Sequence, residues 1–262
     1  MRRPLNILSN RIKLLLIGNR TRFLLRVINS YIRKLSSFTH KLQFIIEWRL
    51  GNNPEHFDHQ IDLNYLWAKS RKSYPMERGV FSSFAILSKE QVGATLDLCC
   101  GDGFYSHYFY SLNSSRVVGI DFDPQAIDSA RRNYSAENVE FILGDIRDEL
   151  PKGPFLNIIW DAAIEHFTEL EIVTIMNSIK SNLDKNGVLS GYTIQESEDG
   201  KTHLHQHEYE FKNKEDLLRF LQPYFKNIQI IETRYVDRTN YYFYATDGTL
   251  PFLNNKFILT ST

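Results

Sequence analysis

The chain is poor in the features that cross-link, span membranes or bind polyanions. It has two cysteines, Cys99 and Cys100, and they are adjacent. Neighbouring residues rarely reach disulfide geometry, so no covalent framework is expected, and a reducing compartment is the simplest reading. No cysteine pair has the spacing of a structural zinc site. No stretch approaches 18 uncharged apolar residues, so no membrane-spanning helix is expected. The first apolar run, LLLIG at 14–18, is short and has no small-residue cleavage site after it, which argues against a secretory signal. The Arg-rich, acid-poor start leaves an organelle transit peptide open; a cytoplasmic chain is the simpler expectation.

Net charge is also missing, since 31 Lys+Arg balance 31 Asp+Glu. The balance is uneven along the chain. Residues 1–50 take 11 of the basic residues and one acid, Glu47, which leaves 20 basic against 30 acidic residues in the remainder. A basic arm therefore precedes an acidic body. An acidic body has the wrong sign for a nucleic-acid face, so no nucleic-acid partner is expected.

What is present is ordinary globular material, 262 residues at 42% hydrophobic, enough for one large domain with an added arm. Residues 5–48 read as helical, with Gly18 and Asn19 breaking a short helix at about 5–17 from a longer one. Leu24, Ile28, Tyr31, Leu35, Phe38, Leu42 and Ile45 step by threes and fours onto one face. Two readings stand for this arm: a helix packed on its own domain or on a second copy, making a homodimer, and a basic amphipathic helix lying on an anionic membrane surface. GNNP at 51–54 is turn material and marks a boundary. From 51 to 92 helix and loop mix with many aromatics, among them Phe57, Tyr65, Trp67, Phe81 and Phe84, and a helix is expected over about 78–90. The division expected is an arm at 1–50, a cap region at 51–92 and an alternating domain at 93–262.

The alternation is regular. Strands are expected at 95–100, 116–122, 139–145, 155–163, 187–194, 228–236 and 241–246, with helices at 104–112, 124–134, 170–183 and 214–225. Asp123 reads as the N-cap of the second of these helices, with Pro124 at its first position. Such a pattern with short links means an α/β domain around a mainly parallel sheet with helices on both faces. The last two strands are joined by four residues, Asp237 to Asn240, too few for a crossover, so the sheet should end in an antiparallel hairpin.

Ligands in open α/β sheets bind at the carboxyl ends of the strands. The first strand ends in LDLCCGDGF (96–104). Gly101 and Gly103 let the backbone reverse and approach a ligand without an intervening side chain. Asp121 ends the next strand, placed to accept hydrogen bonds from a ribose diol, and Phe122 follows it. Asp145 and Ile146 end the third, where the acid can meet an adenine amino group. Asp97 lies four residues before Gly101, which is foreign to a nicotinamide fingerprint. It needs a partner if buried, and an ammonium group or ordered backbone N–H groups of the turn would supply one. Any one of these acids can be a turn or cap residue; three at successive strand ends beside a glycine turn form one constellation.

On those residues the chain resembles the class I S-adenosylmethionine-dependent methyltransferases. LDLCCGDG stands where the family has an acid-x-Gly-x-Gly-x-Gly turn, with Cys99 at the first glycine position, a departure. VVGIDFDPQAIDSAR resembles its second strand and ribose acid, and NVEFILGDI its adenine-side strand. The resemblance implies a Rossmann-like seven-stranded sheet with an antiparallel final pair. It implies S-adenosylmethionine as cofactor, on Asp97, Cys99, Gly101, Gly103, Asp121, Phe122, Asp145, Ile146 and Asp161.

The fourth strand runs into WDAAIEHF (160–167), beside the transferred methyl group in the family's geometry. His166 is the candidate general base, with an ordinary pKa near neutrality, and Glu165 can orient it. The alternative is that the pair only caps the following helix. The family motif for planar exocyclic amines, an [Asn/Asp/Ser]-Pro-Pro-aromatic run, is missing here, which points to an alcohol, phenol or carboxylate acceptor. In HLHQHEYEF (203–211), His203, His205 and His207 share a face if extended. A polar lid, a plain surface strand and a metal site with Glu165 or Glu208 all stand; no metal is assigned. The arm and the phrases TLDLCCGDGFYS, IWDAAIEHFTE and HEYEF are similar to bacterial methyltransferases of surface-polysaccharide assembly. That implies a small-molecule or glycan hydroxyl as acceptor, an arm (1–46) holding the enzyme at the inner face of the membrane, and the 57–84 aromatics forming the acceptor cleft. The alternative is a non-catalytic S-adenosylmethionine-binding protein that docks by its arm and regulates another enzyme.

Overall fold

The computed structural model describes residues 19–50, 74–88, 91–197, 206–234 and 238–250. The expected helix at 5–17, Phe57, Tyr65, Trp67, His203 and His205 lie outside them. The chain divides into two compact units, 1–73 and 74–262.

In the first unit helix α1 runs Asn19–Leu50. No Pro or Gly interrupts it, and Gly51 follows its last residue. The expected apolar face is real and exposed: Tyr31, Leu35 and Phe38 are 69%, 63% and 61% accessible. No helix among the described residues is long and apolar enough to cross a membrane.

The second unit begins with α2, Tyr74–Leu87, longer at its start than expected. It is part of the unit that holds the sheet, not of a separate cap. The strands are β1 Gly93–Leu98, β2 Ser114–Asp121, β3 Val139–Leu143, β4 Phe155–Asp161, β5 Leu183–Ile194, β6 Asn227–Arg234 and β7 Thr239–Thr246. Their order is β3-β2-β1-β4-β5-β7-β6. Pairings from β3 through β5 are parallel, and β7 pairs antiparallel with both β5 and β6. The chain order reverses between β1 and β4, the switch point at which open sheets bind ligands.

Helices α3 (Phe104–Tyr108), α4 (Pro124–Asn133), α5 (Glu169–Asn182) and α6 (Lys214–Leu221) connect the strands. The Asp123 side chain caps α4 by accepting from Gln125 N–H, with Pro124 following. The helix expected over 104–112 splits into α3 and a 3-10 turn at Tyr110–Asn113. The helix expected to reach 225 stops at Leu221, before Pro223, which cannot continue the ladder. The strand expected from 187 begins at Leu183 with an irregular register against β4.

Strand alternation decides which side chains face which layer. Leu96, Leu98, Ile158 and Trp160 face α5 and α6 in the larger core. Ile159 and Val117 face the other layer with Ile86 of α2 and Ile127 of α4. Asp97 and Asp161 share the parity of Ile159, so both carboxylates point toward the layer that α2 covers. Phe81 and Phe84 of α2 are partly buried. They pack with Tyr192, Tyr242 and Tyr244 in a third apolar cluster.

Candidate functional site

The turn after β1 is shaped by three left-handed residues. Cys99, Gly101 and Gly103 have φ of 56°, 56° and 82°. The family's first glycine position therefore has a glycine conformation here too, and Cys99 holds it at a cost of order 1–3 kcal/mol. Gly103 has a second constraint: a Cβ there would lie 2.4 Å from the Phe141 ring. Gly101 N–H donates to Asp121 Oδ2 over 2.9 Å, and Asp123 N–H donates to Oδ1 over 2.9 Å. Asp121 thus ties the end of β2 to the turn. Each of its oxygens keeps acceptor capacity for a diol. Burial raises its pKa, with backbone hydrogen bonds from Asp123, Gly101 and Phe122 pulling the other way.

Asp97 is 3% exposed and accepts the Ser106 hydroxyl. Burial pushes its pKa up to about 8, since Arg78 contributes too little opposite charge to hold it down. A cation placed beside it would favour the ionised form. Together with the bare turn and the diol acceptor, this acid fits the ammonium and ribose ends of S-adenosylmethionine.

Phe122 is 52% exposed at the end of β2, an open ring face beside Asp121. Asp145 is not free: Arg147 Nη2 lies 2.6 Å from its Oδ2, and Nε and the backbone N–H of Arg147 also donate to it. Those bonds lower its pKa. Ile146 is 3% exposed and its side chain packs in the larger core.

Asp161, expected on the cofactor, is committed to α2. Arg78 Nε and Ser82 Oγ donate to its carboxylate over 2.5 and 2.6 Å. Burial still raises its pKa, against the pull of Arg78. The Arg78 guanidinium also lies 4.7 Å from the Tyr105 ring centroid and 5.7 Å from that of Tyr192. Sequence reading missed both α2 residues. Their signal is a cation and a hydroxyl one helical turn apart on an otherwise apolar stretch.

Beyond β4 the chain makes a 3-10 turn at Ile164–His166. Helix α5 is capped separately by Thr168, whose side chain and that of Glu171 form a capping box. Glu165 and His166 are therefore not the helix cap. Glu165 is 3% exposed and accepts the Thr193 hydroxyl over 3.0 Å. Its carbonyl oxygen accepts from Glu208 and Tyr209 N–H, which fastens the 206–210 segment to this turn. His166 Nδ1–H donates to the Gln206 carbonyl over 3.3 Å, and burial lowers its pKa. Residues 206–210 are irregular rather than a strand. His207 is buried with its Nδ1 on the Glu210 carboxylate, and its ring meets that of His166 edge-on at 4.8 Å. Two acids lie beside the histidines, Glu165 and Glu210; the Glu208 side chain is exposed.

The family model of the Methyltransferase domain matches residues 89–235. Among curated proteins, the ribosomal protein L11 methyltransferase of Paraburkholderia phytofirmans is 40% identical over 62 residues, 24% of this chain and 20% of that protein. The protein of that name from Alkaliphilus oremlandii is 30% identical over 95 residues, 35% of this chain and 29% of its own. The matches thus span less than a third of these relatives. Among solved structures, the N-methyltransferase NodS of Bradyrhizobium japonicum superposes with a TM-score of 0.56 at 16% identity, covering 67% of this chain and 97% of that one. A DhpI–SAH complex superposes at 0.54 and 15% identity, covering 82% and 97%. Human N-acetylserotonin methyltransferase in complex with SAM superposes at 0.53 and 18% identity, covering 71% and 53%. With more than half of its length matched by that domain, the chain belongs to the Methyltransferase domain family, and it has the fold of the class I S-adenosylmethionine-dependent methyltransferases.

Proposed function

We propose that the protein transfers a methyl group to a hydroxyl of a glycan or other small hydroxylated acceptor. The observation that carries this is the pairing of strands: Leu98, which leads into the glycine turn, lies opposite Trp160, which leads into Glu165–His166. That pairing supports a reading in which a cofactor-binding turn and a group able to take a proton lie side by side at the sheet's switch point.

S-adenosylmethionine supplies a methyl group on a sulfonium, already a good leaving group. The chain's residues have two tasks. The first is alignment, which can contribute several kcal/mol. Asp97, the turn and Asp121 suit the cofactor's two polar ends, and Arg78 positions Asp161 beside them. The second is removal of the acceptor proton, typically worth ~10²–10⁴ in rate. His166 suits it. Burial keeps the ring neutral at pH 7, and the Gln206 carbonyl fixes the proton on Nδ1, so the Nε2 lone pair can accept.

The arm supports a lipid-linked glycan as acceptor. Residues 19–50 carry seven basic residues and one acid on a helix whose apolar residues Leu24, Ile28, Tyr31, Leu35, Phe38 and Leu42 are exposed. Such a helix suits the inner face of an anionic membrane. The full chain should then sediment with phosphatidylglycerol vesicles at low salt and leave them at high salt.

The test uses methyl-labelled S-adenosylmethionine, purified protein and a fractionated extract of the source cell, with His166→Ala as control. Label in the lipid-extractable glycan fraction, lost in the variant, is the expected result. Label in water-soluble small molecules alone would remove the membrane part. Label on protein or amines, or none despite cofactor binding, would overturn the hydroxyl reading.

A further inference from the structure

We propose that Glu165, His166 and His207 form a site for one divalent transition-metal ion of the zinc type. One candidate ligand atom from each lies within 4.8 Å of the others. Ligands about 2.0–2.1 Å from a tetrahedral ion stand about 3.3 Å apart, so modest side-chain rotation closes the set.

Two features distinguish this cluster from a chance meeting of polar groups. Both imidazoles are held from behind. His207 Nδ1–H donates to Glu210, with side chains 4% and 2% exposed, and His166 Nδ1–H donates to the Gln206 carbonyl. Each ring is left with a bare lone pair on Nε2, and an acceptor on the far nitrogen is how metal-binding histidines are oriented. The third group is also fixed. Thr193 holds one oxygen of the Glu165 carboxylate, leaving acceptor capacity on the other. The two backbone bonds to the Glu165 carbonyl then tie the His207 segment to the turn that bears the other two ligands.

Two imidazoles and one carboxylate are a ligand set of catalytic zinc sites, which keep an open position. Magnesium prefers an all-oxygen octahedral shell and suits the cluster poorly. The ion's role rests on the hydroxyl-transfer reading above; its binding does not. In that role the acceptor hydroxyl occupies the open position and loses its proton to solvent water. Its oxygen forms a bond to the methyl carbon as the carbon–sulfur bond breaks, leaving a neutral thioether. With the ion bound, the His166 lone pair is spent on it and the ion lowers the hydroxyl's pKa; the base role of His166 given above then applies to the metal-free chain alone.

The experiment strips the full chain with a chelator and titrates it with Zn²⁺ by calorimetry and with Co²⁺ by visible absorbance. One equivalent should bind, with the intense bands of tetrahedral cobalt. His207→Ala and Glu165→Gln should weaken binding at least ~100-fold, and Glu210→Gln by ~10–100-fold. Thermal melting and S-adenosylmethionine affinity show that each variant is folded. No stoichiometric binding, or equal affinity in folded His207→Ala, would overturn the site. If the ion binds but a chelator leaves hydroxyl methylation unchanged, its chemical role is wrong. If the ion binds and no hydroxyl acceptor is ever labelled, the site stands and the functional reading fails.

Discussion

Arg78 Nε lies 2.5 Å from Asp161 Oδ2, joining α2 to the carboxyl end of β4 across 83 positions of sequence. The Asp161 side chain is 4% exposed and that of Arg78 16%. Removing one partner of such a buried pair strands the other charge, which costs about 3–5 kcal/mol. Arg78→Met should therefore lower the urea midpoint markedly. A double variant, Arg78→Met with Asp161→Asn, should recover part of the loss, because no charge is then left unpaired. Equal midpoints for Arg78→Met and the parent protein would show that the pair does not hold α2 to the sheet.

Gly103 is the least replaceable residue of the turn. Alanine there must adopt a left-handed φ, roughly 1–2 kcal/mol, and displace the Phe141 ring, another ~1–3 kcal/mol. Gly103→Ala should lower the stability by a few kcal/mol and weaken S-adenosylmethionine binding together. Denaturant titration and calorimetry on the same variant read both.

Asp97 makes the stability of the fold sensitive to pH. Its pKa rises from 3.8 in the unfolded chain to about 8 in the fold. The native state therefore holds a proton that the unfolded chain releases. Its contribution to stability is fully present below about pH 3.8 and is lost as pH rises through about 8. Asp97→Asn should flatten that slope. Cofactor binding should release a proton at neutral pH, because the cofactor's ammonium favours the ionised acid. Calorimetry in buffers of different ionisation enthalpy counts that proton; none released would detach Asp97 from the cofactor.

His166→Ala separates binding from turnover. S-adenosylmethionine affinity should stay within about threefold of the parent, while kcat falls by ~10²-fold or more. A proportional loss of both would mean that His166 serves the cofactor pocket and not the acceptor.

Much of the fold was legible because strand and helix periods differ and short links fix handedness. TLDL, VVGID and NIIWD read as strands, and the four-residue link 237–240 announced the hairpin, although Thr239 and Asn240 turned out to be its first β7 residues. The glycine turn and the acids near it were legible because each sits at a strand end. What escaped was long-range partnership. Nothing local in PMERGVF says that Arg78 will meet Asp161, 83 positions away. HLHQHEYEF shows three histidines, yet only the folded chain shows His207 against His166 and Glu210. Cys99 looked like a tolerated departure in sequence; its positive φ shows that the position keeps its glycine geometry.

The most direct measurement is a calorimetric titration of the full chain and of Asp121→Ala with S-adenosylmethionine at pH 7.5. The arrangement at the switch point predicts one cofactor per chain in the parent and at least ~100-fold weaker binding in the variant, with the variant's far-ultraviolet circular dichroism unchanged. Equal affinity in a folded Asp121→Ala would mean that the cofactor does not sit at the ends of β1 and β2, and the site described here would be wrong.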